Sequence, residues 1–289
     1  MIMKNIWKWF NGLSARSRDS AIISGSLIGL VSTVLSIIGV SLEGVTNSWK
    51  LSLVVVLVVF AIAYFLTYIA IGRIFKDSIE LTIGATAVEI STGNIFDYAG
   101  YKVIGCDSHF DTRVDDVIIS KKSLHGQLIL EHGKKDEIEK VVEEKAKILG
   151  IDKDEDGLYD FPLGTVIRYD SSVDESTYLM VALTKQKKVN GTVKAYTSMP
   201  EYERTLREMW DQINGMYVYN DVVLPLLGSG IARFEGASQS NDSLLRCMLC
   251  TLNSSDLEFK STLKVVINDN AKELQLYEYK DSFKSIPGR

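Results

Sequence analysis

Val222-Val223-Leu224-Pro225-Leu226-Leu227-Gly228-Ser229-Gly230-Ile231-Ala232 is the stretch on which the reading of this chain turns. A short apolar run of strand composition enters a Gly-x-Gly turn, and the chain then heads toward a helix starting near Ser240. Glycines let the backbone approach an anion closely, and successive N–H groups can ring a phosphate. Gly228, Ser229, Gly230 and Ile231 are therefore the first candidates for a phosphate cradle, flanked by Leu227, Ala232 and Arg233. A plain strand-to-helix turn has the same composition, so the stretch gains meaning only from its surroundings.

Those surroundings alternate strands with helices. Strand-like runs are Ile79–Ile90, Lys102–Gly105, Tyr178–Leu183, Asp221–Leu227, Thr262–Ile267 and Leu274–Tyr279. Asp136–Leu149 has an apolar side at Ile138, Val141, Val142 and Leu149 and stops before Gly150. Ser198-Met199-Pro200-Glu201 opens a second helix with a capping box, and Tyr202, Leu206, Met209 and Ile213 form its face. Ser243–Leu252 reads as a third. The expected fold is α/β, a mixed central sheet with helices on both faces, over residues 79–289.

The N-terminal quarter obeys another rule. Mean hydropathy is slightly positive, +0.07, because apolar residues are pooled: Ala21–Leu42 and Leu51–Gly72 are each 22 residues without a charge. At about 1.5 Å per residue each can span a hydrocarbon core of about 30 Å. The expected division is a basic N-terminus at 1–20, spans at 21–42 and 51–72 and an external loop at 43–50. Lys4, Lys8, Arg16 and Arg18 precede the first span, and Arg73 and Lys76 follow the second. The positive-inside bias therefore sets both ends in the cytoplasm, with Trp7, Trp9 and Trp49 near the interfaces. The first run is longer than a signal-peptide core and no small-x-small cleavage site follows it, so a retained hairpin is expected. Gly25, Gly29, Ser32, Ser36 and Gly39 make one small-residue stripe along the first span. It suits packing on the second span and packing on other copies of the chain equally well.

Beyond residue 78 the chain carries 25 basic and 34 acidic side chains, which excludes nucleic acid as an expected partner. Cys106, Cys247 and Cys250 include one C-x-x-C with no second pair and no nearby His, so buried thiols are expected and zinc is not. Asp152-x-Asp154-x-Asp156-Gly157 opens like a calcium loop, but Leu163 stands where the bidentate Glu belongs; a surface turn is expected. His132 reads as solvated.

Three further segments make four with the glycine turn at Pro225–Ile231: Ile90–Phe96 with Gly93-Asn94-Ile95; Val103–Thr112, leading on to Ile118-Ile119-Ser120 and Ser123-Leu124-His125-Gly126-Gln127; and Tyr159–Thr165 with Phe161-Pro162-Leu163-Gly164-Thr165. In this order they resemble the macrodomains, which bind ADP-ribose and its derivatives, and within them the membrane-anchored macro proteins of Thoeris-type antiphage defence. The resemblance implies that Gly93, Asn94 and Ile95 meet adenine and that Pro225–Ile231 holds the diphosphate. Asn94 stands where the family usually has Asp, and its amide oxygen can still accept from an adenine amino group. The Asn-Ala-Ala-Asn loop of the de-ADP-ribosylating members is replaced by Asp107-Ser108-His109-Phe110, which favours a reader over a hydrolase.

The resemblance also implies a sensor-effector without resident cofactor. By that resemblance a partner TIR enzyme is expected to consume NAD during phage infection and release an ADP-ribose derivative such as histidine-ADP-ribose. The domain is expected to bind it, the chains to cluster as a homo-oligomer, and the hairpins to disrupt the lipid of the inner membrane. A membrane-tethered ADP-ribosyl hydrolase and an ADP-ribose-reading scaffold are the alternatives. The remaining site candidates are weighed on chemistry. Arg233 pairs with a phosphate or is simply exposed, and Phe110 and Phe234 wall a ring or pack in the core. Asp111, Asp115 and Asp116 suit ribose hydroxyls or a cationic substituent, with Thr112 and Thr165 beside them. His109 and His125 act on a ribose or are structural.

Overall fold

The structure is a computed structural model that describes residues 13–38, 46, 48–189, 192–217, 219–230, 233–235, 238–268 and 274–281, with backbone only at 187–189 and 192–194. The expectations on Lys4, Trp7, Lys8, Trp9, Gly39, Ile231 and Ala232, and on residues 43–45 and 47 of the loop 43–50, fall outside the described residues. The chain divides into two compact units. One runs to Ile79 and takes in the chain from Gln275, and the other begins at Glu80 and includes the chain to Leu274.

In the first unit, α1 (Ala15–Ile37) and α2 (Trp49–Ile74) are both long and apolar enough to cross a membrane. Their mutual contact includes polar groups. The Ser24 and Thr67 hydroxyls lie 3.0 Å apart, Arg16 Nε donates to the Tyr68 carbonyl at 2.7 Å, and the Arg16 guanidinium covers the Tyr68 ring. The Gly25–Gly29 stripe is elsewhere: a Cβ at either glycine meets nothing within 4 Å. Leu30, Leu57 and Phe65 keep 65%, 58% and 63% of their surface open.

The same unit corrects one expected strand. Leu276–Asp281 is a 3₁₀ turn. Its Glu278 carboxylate accepts from the Ala15 amide at 2.9 Å, satisfying a donor at the open end of α1, and Asp19 accepts from the Tyr277 hydroxyl at 2.7 Å. Leu276, Tyr277 and Tyr279 are buried here and not in a sheet. A short apolar run does not by itself declare its period.

The second unit is built on a sheet ordered β1-β2-β9-β7-β3-β5-β6-β8, with β4 beside β5. The strands are β1 (Ser78–Ile83), β2 (Thr86–Thr92), β3 (Tyr101–Asp107), β4 (Val166–Asp170), β5 (Thr177–Val189), β6 (Thr192–Thr197), β7 (Val222–Pro225), β8 (Arg233–Phe234) and β9 (Leu263–Ile267). The β2/β9, β9/β7, β7/β3 and β3/β5 pairs are parallel, whereas β4/β5 and β5/β6 are antiparallel. The sheet is mixed, as expected. The single run read at Ile79–Ile90 is two strands, parted at Gly84, whose φ of +59° ends the first.

The helices are α3 (Leu124–Gln127), continuing through a wide turn at Leu128–His132, then α4 (Lys135–Leu149), α5 (Met199–Met216) and α6 (Asn241–Asn253). The Ser198–Glu201 capping box is formed on both sides, and Gly150 closes α4 in the left-handed region. Ile138, Val142 and Ala146 of α4 join Ile104, Met180 and Val223 of the strands in one sealed core.

Candidate functional site

Four adjacent parallel strands, β9, β7, β3 and β5, carry their C-terminal portions to one edge of the sheet, where open α/β sheets take ligands. A cavity of about 370 Å³ lies there. The segment after β2 contributes Gly93, Asn94 and Ile95, the end of β3 contributes Gly105 to Asp107, and β5 contributes Leu183 and Thr184. Pro225 to Gly230 follow β7, Val266 and Asn268 come from β9, and Ser120 and Ser123 to His125 lie at and before α3.

The glycine turn is shaped by φ. Gly228 holds +82°, and a Cβ there meets the Phe234 ring at 3.3 Å. Tyr202 of α5 donates to the Leu227 carbonyl at 2.8 Å, and Ser229 N–H closes onto the Leu226 carbonyl. Among the described residues the Gly228 and Gly230 amides find no acceptor, which leaves donors for an anion at the cavity. Gly105 forms a floor: a Cβ there meets Leu183 at 2.9 Å.

Asp107 is aimed by an irregularity. The β3/β5 register slips between Cys106 and Asp107, and Ser108 N–H then bonds to the Thr184 carbonyl. Asp107 Oδ1 accepts from the His109 amide at 2.8 Å. His125 is 6% exposed. Burial pushes its imidazole down toward the neutral form, against the pull of Asp107 and Asp111. Its Nε2 is buried without a hydrogen-bond partner, as are Ser108 Oγ and His109 Nδ1. Such atoms are uncommon in folded proteins, and here all three belong to the β3 loop or α3. Neutral imidazole offers one donor and one acceptor.

Asn94 is engaged differently from the expectation. Its Oδ1 accepts from the Phe96 amide at 3.3 Å, capping the turn Ile95–Asp97, so the amide oxygen is already in use on one side.

Of the residues expected in the site, Gly93, Asn94, Ile95, Asp107, Ser123, His125, Leu227, Gly228, Ser229 and Gly230 share the cavity. Phe110, Asp111 and Thr112 line a second cavity, also about 370 Å³, with His109, Arg113 and residues of α4. Phe110 is 2% exposed and meets Phe161 edge-on at 5.2 Å, so it packs in the core. The Asp111 carboxyl would be raised by burial, but the Arg113 guanidinium beside it holds it below the usual value. Gly126 serves packing: a Cβ there strikes the Ser120 carbonyl. Thr165 is buried and tied by its amide to the Pro162 carbonyl, away from the cavity lining. Arg233 is exposed on β8, and Phe234 stacks edge-on against Tyr202.

Ser120, from the quoted Ile118-Ile119-Ser120 segment, lines the cavity together with Thr184 and Asn268, and none of the three is among the expected ligand residues. The Thr184 signal was the long polar continuation of β5, and Ser120 sat beside Ser123. His132 is not simply solvated: its ring stacks on Phe96 and its Nδ1 lies 3.0 Å from Asp174. Asp152–Gly157 is the expected surface turn, with Asp154 Oδ1 accepting from the Asp156 and Leu158 amides. No cluster of three metal-ligating side chains occurs among the described residues. Cys106 is buried, but Cys250 is exposed on α6, against the expectation of buried thiols.

Residues 88–268 match the family model "Thoeris protein ThsA, Macro domain". The chain is 32% identical over 243 residues to the Thoeris protein ThsA of Bacillus amyloliquefaciens (strain Y2), spanning 80% of this chain and 76% of that one. Among solved structures it is similar to the Oceanobacillus iheyensis macrodomain with MES bound, at 14% identity and a TM-score of 0.49, over 72% of this chain and 98% of that one. The same macrodomain with ADP gives the same values.

Proposed function

Because the chain belongs to the macro-domain family of the Thoeris protein ThsA, we propose that it is a membrane-anchored sensor-effector of antiphage defence. The cavity binds an ADP-ribose-derived signal, for which histidine-ADP-ribose is a candidate, made by a partner TIR enzyme from NAD. Binding is followed by oligomerisation and disruption of the inner membrane. The observation that carries the reading is the pairing, in one chain, of the glycine-turn cavity with two helices whose apolar side chains stay open. A helix buried in a soluble core hides such side chains, whereas a membrane span presents them to lipid.

Gly228 and Gly230 take the diphosphate on backbone donors, so an acidic domain still binds an anion. The site reads its ligand without turning it over and needs no cofactor. Support comes from the loop that replaces Asn-Ala-Ala-Asn, where Ser108 and Phe110 are buried and not presented to a substrate. Asp107 and the neutral His125 suit the distal ribose or its substituent. The hairpin lies in the inner membrane with both chain ends and the domain cytoplasmic, which the flanking Arg and Lys residues support. The Gly25–Gly29 stripe serves contacts between copies, supported by the open space at both glycines.

A signal drives such a change only if the clustered state binds it more tightly than the resting state. Calorimetric titration of the full chain in detergent with ADP-ribose, NAD and TIR reaction products tests the binding step. Tight binding of a TIR product over plain ADP-ribose is expected. Equal or tighter binding of plain ADP-ribose favours the scaffold or the hydrolase. Gly29→Ile is expected to abolish toxicity and leave ligand affinity intact, and unchanged toxicity removes the stripe from the mechanism.

A further inference from the structure

The wall of the cavity that carries Asn94 is held from two sides by different means. On its inner side the turn is tied to the sheet. Gly93 N–H donates to the Ile267 carbonyl of β9, the Tyr98 and Ser91 hydroxyls lie 3.0 Å apart, and Ile95 is buried in the core. On its outer side the hold is aromatic: the Phe96 ring leans on Tyr178, tilted with centroids 6.4 Å apart, and makes its closer contact with His132. The Phe96 ring lies over the His132 ring, centroids 4.0 Å apart and planes 10° from parallel.

His132 is itself fixed at both ring and backbone. Its Nδ1 lies 3.0 Å from Asp174 Oδ2, which also accepts from the Tyr178 hydroxyl at 2.6 Å, and the His132 carbonyl accepts from the Ser171 hydroxyl. Asp174 Oδ1 takes the Ser176 amide. Burial would raise the Asp174 carboxyl, but the Tyr178 hydroxyl, the Ser176 amide and His132 hold it below its usual value, so it stays an acceptor.

The element that carries His132 also reaches the cavity. Leu124, His125 and Gln127 of α3 line it, and the wide turn Leu128–His132 continues directly from α3. One nine-residue stretch therefore touches the ligand cavity at its start and, at its end, grips the turn that presents Asn94.

We propose that His132 is a positioning residue for nucleotide recognition: stacked on Phe96 and anchored by Asp174, it sets the Ile95–Asp97 turn so that Asn94 meets the base. This rests on the reading of the cavity as a nucleotide site. Phe96 links the two, since its ring takes the stack and its amide donates to Asn94 Oδ1. A shift of the ring therefore shifts the amide that orients the Asn94 side chain.

The test is the affinity of the full chain in detergent for ADP-ribose in wild type, His132→Ala and His132→Phe, with melting temperatures taken on each. His132→Ala is expected to weaken binding by about three- to tenfold, the worth of one aromatic pair. His132→Phe keeps a flat ring without the Asp174 bond and is expected to recover most of the affinity even where its melting temperature stays below wild type. Wild-type affinity in His132→Ala overturns the proposal, and so does a His132→Phe protein no better than His132→Ala. A wild type that fails to bind ADP-ribose or any TIR product overturns the nucleotide reading itself, a result distinct from either.

Discussion

In the α/β unit Leu128, Val181 and Val223 are sealed from solvent, while in the helical unit Leu30, Leu57 and Phe65 keep more than half of their surface open. Some polar side chains are placed the other way round. Ser20 and Ser24 are buried on α1, with Ser24 meeting the Thr67 hydroxyl, whereas Lys135, Glu143 and Lys147 of α4 face solvent. On the proposed membrane-anchored reading, the two regions answer to different surroundings. In water, removing apolar area from solvent drives packing at about 25 cal/mol per Å². In hydrocarbon that gain disappears, and close approach of small residues together with hydrogen bonds holds helices together. On that reading one chain applies two sorting rules, with the change falling near Ile79.

That contrast breaks most visibly with matched truncations. Trp210 is 1% exposed, donates to the Thr251 hydroxyl at 3.0 Å and packs edge-on against Phe259. Trp210→Ala is expected to destabilise the α/β unit by about 3–5 kcal/mol. Leu66→Ala, at a side chain 61% exposed on α2, is expected to change helix association by about 0.5 kcal/mol or less. Denaturant melts of the full chain in detergent check both, and equal effects would end the comparison.

Gly228→Val comes next. With φ at +82° and Phe234 in the way, the substitution stores about 1–3 kcal/mol of backbone strain. A loss of roughly five- to 150-fold in ADP-ribose affinity is expected, read by calorimetry. Thermal stability of the hairpin should not move. A smaller effect belongs to the helices: Ser24→Val with Thr67→Val removes the hydroxyl contact and is expected to weaken hairpin association by about 0.5–1.5 kcal/mol. Cross-linking between the two helices in bilayers reads it, and a stronger hairpin would show that the hydroxyls serve something else.

The smallest effect concerns pH. The Ser172 hydroxyl, then Lys134 and the Tyr169 hydroxyl, draw the Glu137 carboxyl down from 4.5 to about 2 in the folded α/β unit. A folded-state value below the unfolded one gives stability that is fully present above about pH 4.5 and is lost as pH falls toward 2. Urea melts between pH 6 and pH 2 are expected to show a shallower slope in Glu137→Gln than in wild type. An unchanged slope would place the acid sensitivity on other carboxylates.

Much of this was written into the order of residues. Two uncharged runs of 22 marked the two long apolar helices, though not their ends, because a charge in hydrocarbon is costly and its absence over that length is rare. Ser198–Glu201, Gly150 and the Gly228 turn declared local geometry, since caps and left-handed turns depend on neighbours in sequence. Cavity residues next to such turns, from Gly93 to Ile95 and Leu227 to Gly230, were therefore legible.

Only the folded chain decided the rest. Leu276–Asp281 reads as well for a strand as for a turn, and its partners Ala15 and Asp19 lie some 260 residues away. Phe110 lies outside the glycine-turn cavity because the register slips at the end of β3 and Phe110 itself is left-handed, at φ +48°, which sets its ring edge-on to Phe161. The stack of His132 on Phe96 and the orphaned nitrogen of His125 belong to side chains brought together by the sheet order. Sequence carries what short-range sterics and solvent preference dictate. Contacts between distant segments are settled by the packing of the whole, which no local stretch encodes.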